Sequence, residues 1–446
     1  MKGYLLEVLG IRRAEGVHPP GHKAASEAAI ERGPLPERVV LPLCQHIGAP
    51  AKTVVAAGDH VLVGQKVAEA GGFCSAPIHA TISGEVKPVT TIVNPTSGIP
   101  IGAIVIEGDG EDTWAEFESA DPDKLSAEET IARIADAGIV GLGGAAFPTH
   151  VKVNRPEGSP KVHTLIVNGA ECEPFITSDD RLMLEKPERI LAGLKILMKL
   201  LSVSQAYIGI EDNKPKAIAS MRDAIPAAGL PGDVTVTPLG AKYPMGAEKT
   251  MIKAILGCEV PEGGFPTDIG VVVQNVATLA AVADAVIDGR PLVERVVTVA
   301  GLVSKPRNLI SRFGAPASLL IDACGGMPAE ADSIVFGGPM MGIAQASADA
   351  PLVKSTNCVL VKQAVAAVER GCIRCGRCVQ RCPMGLMPLM YVSHVKKDMI
   401  AELADYHVLN CVECGACTYD CPANIPIVSY IKVGKTKLRA LGRGNG

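Results

Sequence analysis

CIRCGRCVQRCP, residues 372–383, and CVECGACTYDCP, residues 411–422, repeat one pattern, C-x2-C-x2-C-x3-C-P. Three thiolates spaced so closely on a tight loop reach three irons of one 4Fe–4S cube, and the proline redirects the chain so that the fourth cysteine crosses to the other cluster. That rule assigns Cys372, Cys375, Cys378 and Cys421 to one cluster, and Cys411, Cys414, Cys417 and Cys382 to the other. Four thiolates also suit tetrahedral zinc, but zinc modules do not usually space their ligands this way. Between the runs Leu386, Leu389, Met390, Val392, Val395, Met399, Ile400 and Leu403 recur at three- and four-residue intervals, which predicts a helix facing a core. The six other cysteines, Cys44, Cys74, Cys172, Cys258, Cys324 and Cys358, are isolated and read as small buried hydrophobes.

The chain around these runs has 446 residues, 48% of them hydrophobic and 20% charged, with a net charge of −4. That length accommodates about three domains. The apolar content excludes disorder, and the charge near zero argues against a nucleic-acid binder held by phosphate contacts. MKGYLLEVLGIRR does not read as a signal peptide, because its apolar run is short and no small-residue cleavage site follows. The most apolar long stretch, 269–287, is interrupted by Gln274, Asn275 and Asp284 and makes a poor membrane span.

In the middle of the chain, Ser-Ala-Glu-Glu at 126–129 precedes Ile131, Ile134 and Ala135, the signature of a capped amphipathic helix. It runs into IVGLGGAAFPTHVKV, 139–153, where Gly141, Gly143 and Gly144 permit close backbone approach to a phosphate or ring system. The loop matches neither G-x-G-x-x-G nor a Walker loop. An apolar strand at 164–167 ends in Asn168, Glu171 and Glu173, and the carboxyl end of such a strand is where α/β proteins seat ligands. Tyr243, Gly246 and Glu248 precede a helix, and Gln274, Asn275 and Thr278 join a strand to another helix. Polar groups at such junctions often serve only as caps. Three junctions beside a Gly loop nevertheless predict one shared ligand site.

Residues 54–89 alternate apolar and polar positions broken by AGD, VGQ, AGG and SGE, which predicts short strands with tight turns. The pattern resembles the barrel-sandwich of biotinyl and lipoyl domains. No lysine lies between Pro77 and Gly84 to carry a swinging cofactor, so a docking or structural role is expected. Residues 294–345 suggest short strands around a helix. His18 and His22 in GVHPPGHK read as loop residues. The stretch from Lys432 holds five basic and no acidic side chains, a solvated tail or a contact for an anionic lipid surface.

GLGGAAFPTHVK (141–152), VNGAECEP (167–174), YPMGAEKT (243–250) and VQNVATLA (273–280) resemble, in this order, the NADH-oxidising flavin subunit of respiratory complex I. With GVHPPGHK and the paired cysteine runs, the chain is similar over roughly residues 10 to 430 to the C-subunit family of the Rnf complexes, membrane-bound ferredoxin:NAD oxidoreductases. The resemblance implies a multidomain α/β chain. An N-terminal β barrel-sandwich would occupy 1–115, an FMN- and NADH-binding α/β domain 116–290, and a soluble-ligand-binding β-grasp domain 291–350. An α-helical two-cluster ferredoxin domain would occupy 351–431, followed by a basic tail, 432–446.

The same resemblance implies that Gly141, Gly143 and Gly144 line the FMN with Lys152 near its phosphate, and that Asn168, Tyr243, Gly246, Asn275 and Thr278 hold the flavin. Glu171 would share the ligand-bearing strand end. Phe147 and Phe265 would stack on the NADH adenine, and Glu173 and Glu248 would face its sugar or nicotinamide. The complex I pattern has an Arg where this chain has Leu142 or Gly143, and acids where it has Ala170 and Ala247. The implied activity passes electrons between NADH, FMN, two 4Fe–4S clusters and a partner redox protein, with no catalytic acid, base or nucleophile. Expected partners are the other Rnf subunits, notably an iron–sulfur B subunit and the membrane subunits, with the chain peripheral on the cytoplasmic face of the plasma membrane. Two alternatives remain at this point: a cobalamin reductase of the propanediol-utilisation type, and a non-catalytic iron–sulfur wiring subunit.

Overall fold

The computed structural model describes residues 16–156, 158–365 and 367–442. The stretch without signal-peptide character and the end of the basic segment, 443–446, lie outside the described residues.

At the centre is a parallel four-stranded sheet of β1 (Thr164–Gly169), β2 (Gln205–Glu211), β3 (Asp233–Leu239) and β4 (Val271–Asn275), ordered β3-β2-β1-β4. β1 and β4 carry the unbroken apolar runs that strands covered on both faces require. The chain leaves β1 toward β2 and β3, then returns to the other side of β1 as β4. The reversal therefore falls between β1 and β4, where Asn168 and Asn275 are register partners. Helix α1 (Ala127–Asp136) starts at Ser126 with the full capping box its sequence predicts. Helices α2 (Ser178–Glu185), α3 (Pro187–Leu200), α4 (Glu248–Leu256) and α5 (Val276–Asp288) complete the part that positions the site. α3 and α5 pack closely through Gly193, where a Cβ would lie 1.9 Å from the Leu279 carbonyl oxygen. The apolar stretch 269–287 is thus β4 and most of α5, buried as core. Among the described residues no helix is long and apolar enough to cross a membrane.

The N-terminal part holds two small sheets. One runs Arg38–Pro42, Pro100–Gly108, Gly84–Val93, His60–Val61, and the other Lys52–Thr53, Lys66–Glu69, Ile78–His79. In the first, Val39 pairs with Ile106 and Leu41 with Ile104, all four buried, so alternate residues face the core.

A six-stranded sheet follows, in the order Glu31–Arg32, Arg307–Arg312, Glu294–Gly301, Cys358–Lys362, Ser333–Phe336, Ile343–Gln345, with helix Ala317–Ala323. It corrects the expected boundary at 350. Cys358–Lys362 pairs in parallel with Glu294–Gly301, Thr298 opposite Cys358, and is buried as the fourth strand of the sheet. Cys358 and Cys324 are buried as expected, whereas Cys258 is exposed.

The C-terminal part is helical, built on α6 (Pro388–Lys396) and α7 (Ile427–Ala440). The helix predicted between the cysteine runs stops at Lys396, because Asp398 turns left-handed (φ 55°); a short 3₁₀ turn, Ala401–Leu403, then carries Leu403 into the core. The expected boundary at 431 also moves. α7 continues through it, since Ile427, Ile431 and Leu438 form one buried helical stripe. Lys435, read as part of a tail, is buried; its Nζ donates to the Cys411 carbonyl (2.6 Å) and pairs with Glu413 (2.7 Å).

Candidate functional site

A cavity of about 700 Å³ lies at the carboxyl ends of β1 and β4, within the roughly 300–1,000 Å³ of a small-molecule site. Of the residues singled out in the sequence, Gly143, Gly144, Asn168, Glu171, Glu173, Tyr243, Gly246, Glu248 and Asn275 line it together.

Local bonding explains how each is held. Gly141 N–H donates to the Phe147 carbonyl (2.8 Å), closing the Gly loop, and Leu142 N–H donates to the buried Thr278 hydroxyl (2.9 Å), anchoring it to α5. Gly144 has φ +120° and nothing within 4 Å of where a Cβ would stand, so bare backbone faces the cavity. Asn168 Nδ2 donates to the Gly246 carbonyl (2.8 Å). Asn275 caps α5 through Ala277 N–H (2.9 Å) and donates to Asp179 (2.6 Å). The Glu171 carboxylate accepts from the amides of Asp179 (2.7 Å) and Asp180 (3.3 Å) at the start of α2, where a negative charge offsets the helix dipole. Burial pushes its pKa up.

Glu173 reaches the loop after Ser333–Phe336 and accepts from Met340 N–H (3.2 Å) and Met341 N–H (2.8 Å). Burial pushes its carboxyl up to about 7, with those two amides opposing the rise. Beneath both acids, Lys23 of GVHPPGHK donates to the carbonyls of Glu171 (2.9 Å), Glu173 (2.8 Å) and Ile176 (2.6 Å). His22 stacks on Phe175 at 4.7 Å.

Gly141, Phe147, Lys152, Phe265 and Thr278 do not line the cavity. Gly141 and Thr278 act behind the loop. Lys152 donates to Glu248 (2.7 Å) and the Val273 carbonyl (2.6 Å), bracing a lining acid. Lys249 is the one lysine or arginine among the described lining residues. Phe265 is 70% exposed, outside the cavity. Sequence reasoning missed Lys249, Asp179, Gln45, His46 and Cys172, whose Sγ accepts from Gly246 N–H at 3.3 Å. For Cys172 the signal was its place inside VNGAECEP.

The donor set suits a flavin phosphoester: a bare glycine loop, flanking amide side chains and one ammonium at a sheet crevice. The cavity also reaches the cysteine module. Cys414 is in its lining, and the buried Tyr243 hydroxyl donates to the Cys414 carbonyl at 2.6 Å.

The two cysteine runs fold alike, residue for residue. Arg374 and Glu413, and then Gly376 and Gly415, are left-handed at matching positions, as are Gly385 and Asn424 after each proline. In each run the residue two after the first cysteine donates its N–H to that cysteine's sulfur, at 3.4 Å in both. Arg381 and Asp420, also equivalent, form a 2.8 Å ion pair between the runs. Cys382 lines a second, small apolar cavity with Cys411, Cys414 and Cys417, and burial, before the neighbouring cysteines, pushes the Cys417 thiol up. Cys378 in turn feels Cys421 and Cys372. Among the described residues no three ligating side chains close on a point as they would around one metal ion. Cys372 and Cys375 are exposed, whereas Cys414 and Cys417 are buried.

Four family models match in succession: an RnfC barrel sandwich hybrid domain over residues 11–111, a Nuo51 FMN-binding domain over 134–284, an SLBB domain over 296–344 and a 4Fe-4S dicluster domain over 371–425. The C subunit of the proton-translocating ferredoxin:NAD(+) oxidoreductase complex of Clostridium ljungdahlii is 46% identical over 435 residues, 96% of this chain and 94% of that one. The C subunit of the Na(+)-translocating complex of Acetobacterium woodii is 42% identical over 440 residues, 96% and 97% of the two chains. The C subunit of the ion-translocating oxidoreductase complex of Rhodobacter capsulatus is 46% identical over 380 residues, 84% and 73%.

Proposed function

The chain belongs to the C-subunit family of ion-translocating ferredoxin:NAD(+) oxidoreductase complexes, and from that premise we propose that its large cavity is where the complex exchanges electrons with NAD(H). It is an oxidoreductase subunit with FMN and two 4Fe–4S clusters as cofactors and other subunits of the complex as partners. Ion translocation belongs to the complex as a whole. A flavin supplies the conversion between two-electron hydride chemistry and one-electron transfer to iron–sulfur clusters.

The chain's own residues prepare for this in three ways. Gly143 and Gly144 offer backbone to the flavin, Asn168 and Asn275 fix the crevice on either side, and Lys249 supplies the cation for a phosphate. Glu173 and Glu248 stand on the nucleotide side, each held by a partner that fixes its position. Tyr243 ties the cavity wall to the cysteine module. The observation that carries the reading is that Cys414 lines the same cavity as the Gly loop, so the cluster of Cys411, Cys414, Cys417 and Cys382 is the nearer one. The cluster of Cys372, Cys375, Cys378 and Cys421, with two exposed cysteines, faces the partner redox protein. The protein acts peripherally, on the cytoplasmic face of the membrane. The cobalamin-reductase alternative is not favoured, because the N-terminal family model and the near full-length relatives are those of the ferredoxin:NAD(+) oxidoreductase complexes.

Anaerobic purification with flavin, iron and sulfide analysis, followed by NADH titration, tests the assignment. Stoichiometric FMN that bleaches with NADH is expected. A chain that carries both clusters and takes up no FMN would overturn it.

A further inference from the structure

We propose that Gln45 and His46, which belong to the N-terminal barrel-sandwich, are flavin-binding residues, so that the cofactor is clamped between that domain and the Gly loop. The proposal rests on the flavin reading above and adds a role for a domain that reading leaves as scaffold.

Both residues line the large cavity, and among the described lining residues they alone carry buried side-chain nitrogens without a hydrogen-bond partner. Gln45 is 1% exposed and His46 7%. The Gln45 amide is oriented by Lys354 N–H, which donates to Oε1 (3.3 Å) and leaves Nε2 as the free donor. His46 Nε2 accepts from Ala76 N–H at 3.1 Å, and an amide N–H can only donate. The proton of the neutral ring therefore sits on Nδ1, the orphaned atom. The Ala49 carbonyl (3.0 Å) and the Ser75 hydroxyl (3.1 Å) also lie near Nε2, and that hydroxyl donates to the Ala49 carbonyl at 2.8 Å. Burial holds the imidazole neutral, its pKa depressed to about 4.

Two adjacent neutral donors left unpaired in a cavity wall are costly unless a ligand accepts from them. Their position selects the ligand. Ile47 N–H donates to the Ala146 carbonyl at 3.2 Å, so the dipeptide is bonded directly to the end of the Gly loop, on the flavin side of the cavity. Neutral donors suit the acceptor atoms of a flavin mononucleotide: its ring carbonyls and ring nitrogens, or its phosphate oxygens.

The experiment uses the full chain with its flavin removed, titrated with FMN, riboflavin and ADP-ribose and followed by flavin fluorescence or calorimetry. Gln45→Met keeps the length of the side chain and deletes the amide; His46→Phe keeps a ring. Gln45→Met is expected to weaken FMN binding about tenfold, the usual cost of one buried donor contact, with ADP-ribose binding unchanged. His46→Phe also strands Ala76 N–H, so it counts only if its melting midpoint matches wild type, and Gln45→Met carries the test alone otherwise. Riboflavin weakened in parallel places the contact on the ring, and riboflavin unaffected places it on the phosphate. FMN affinity within about twofold of wild type, or a loss confined to ADP-ribose, overturns the proposal. Wild-type protein that binds no FMN sinks the flavin reading itself, a distinct result.

Discussion

Replacing Lys23 with methionine tests whether the N-terminal segment holds the cavity in shape. The Lys23 ammonium donates to three carbonyls of the loop that follows β1, at 2.6–2.9 Å, and burial lowers its pKa while Glu171 opposes the fall. Hydrogen bonds from a charged group contribute about 1.5–3 kcal/mol each, or roughly 5–9 kcal/mol gross for three. Keeping an ammonium in so dry a place costs several kcal/mol, which methionine avoids. The net loss is therefore about 2–4 kcal/mol, which at about 2–4 °C per kcal/mol for a domain of this size lowers the melting midpoint by roughly 4–16 °C. Scanning calorimetry with and without FMN measures it, and flavin retained after gel filtration should fall in parallel, because all three carbonyls belong to lining residues. Lys23→Arg should not rescue, since a planar fork cannot serve three carbonyls that converge on one nitrogen. A Lys23→Met midpoint within about 1 °C of wild type would refute the reasoning.

Cys382→Ser should disturb the cluster of Cys411, Cys414 and Cys417 and spare the other; electron paramagnetic resonance of the reduced protein decides, and damage confined to the Cys372 cluster would contradict the crossed pairing. Phe265→Ala should leave the KM for NADH within about twofold, as for other exposed positions, whereas a tenfold rise would restore the stacking role implied by resemblance. Glu173 has a folded pKa of about 7 against 4.5 for the free side chain, so the folded state holds the proton more tightly. Its contribution to stability is complete below about pH 4.5 and is lost as the pH rises through about 7, up to about 3 kcal/mol in all. Glu173→Gln should lessen the fall of denaturant midpoints between about pH 5 and 8, with the buried Glu171 keeping part of it; an unchanged profile there counts against the assignment. Because the Glu173 carboxylate is already turned to the Met340 and Met341 amides, the same variant should leave the NADH-over-NADPH preference intact, and stopped-flow flavin reduction with both nucleotides would expose a change.

What the sequence made legible was the part governed by short spacing. The cysteine runs, the capping box at Ser126, the alternation of the N-terminal strands and the polar ends of β1 and β4 all appear where their local patterns place them. The misplaced boundaries share another cause. Cys358–Lys362 is a strand by virtue of pairing with Glu294–Gly301, and Lys435 is buried by virtue of a carbonyl in a distant loop. Neither partner can be read from the neighbourhood of the residue itself. The site divides in the same way. Motif glycines and asparagines reach the cavity, but Lys152 and Thr278 carry the motif and serve as braces, while Gln45, His46 and Lys23 come from segments with no ligand-binding signature at all.

The small cavity that brings Cys382 and the segment after it, to Tyr391, against residues 411–417 also bears on how the protein is made. With the cysteines crossed as proposed, a ribosome that has delivered the first cysteine run has delivered no complete iron site, since that run lacks Cys421 and contributes a sulfur to a site not yet synthesised. Iron loading must await nearly the whole polypeptide. By then the cavity at the sheet crevice already has most of its walls, so the redox centres are installed into an almost finished protein, and the nascent chain is spared a half-built cluster open to oxygen.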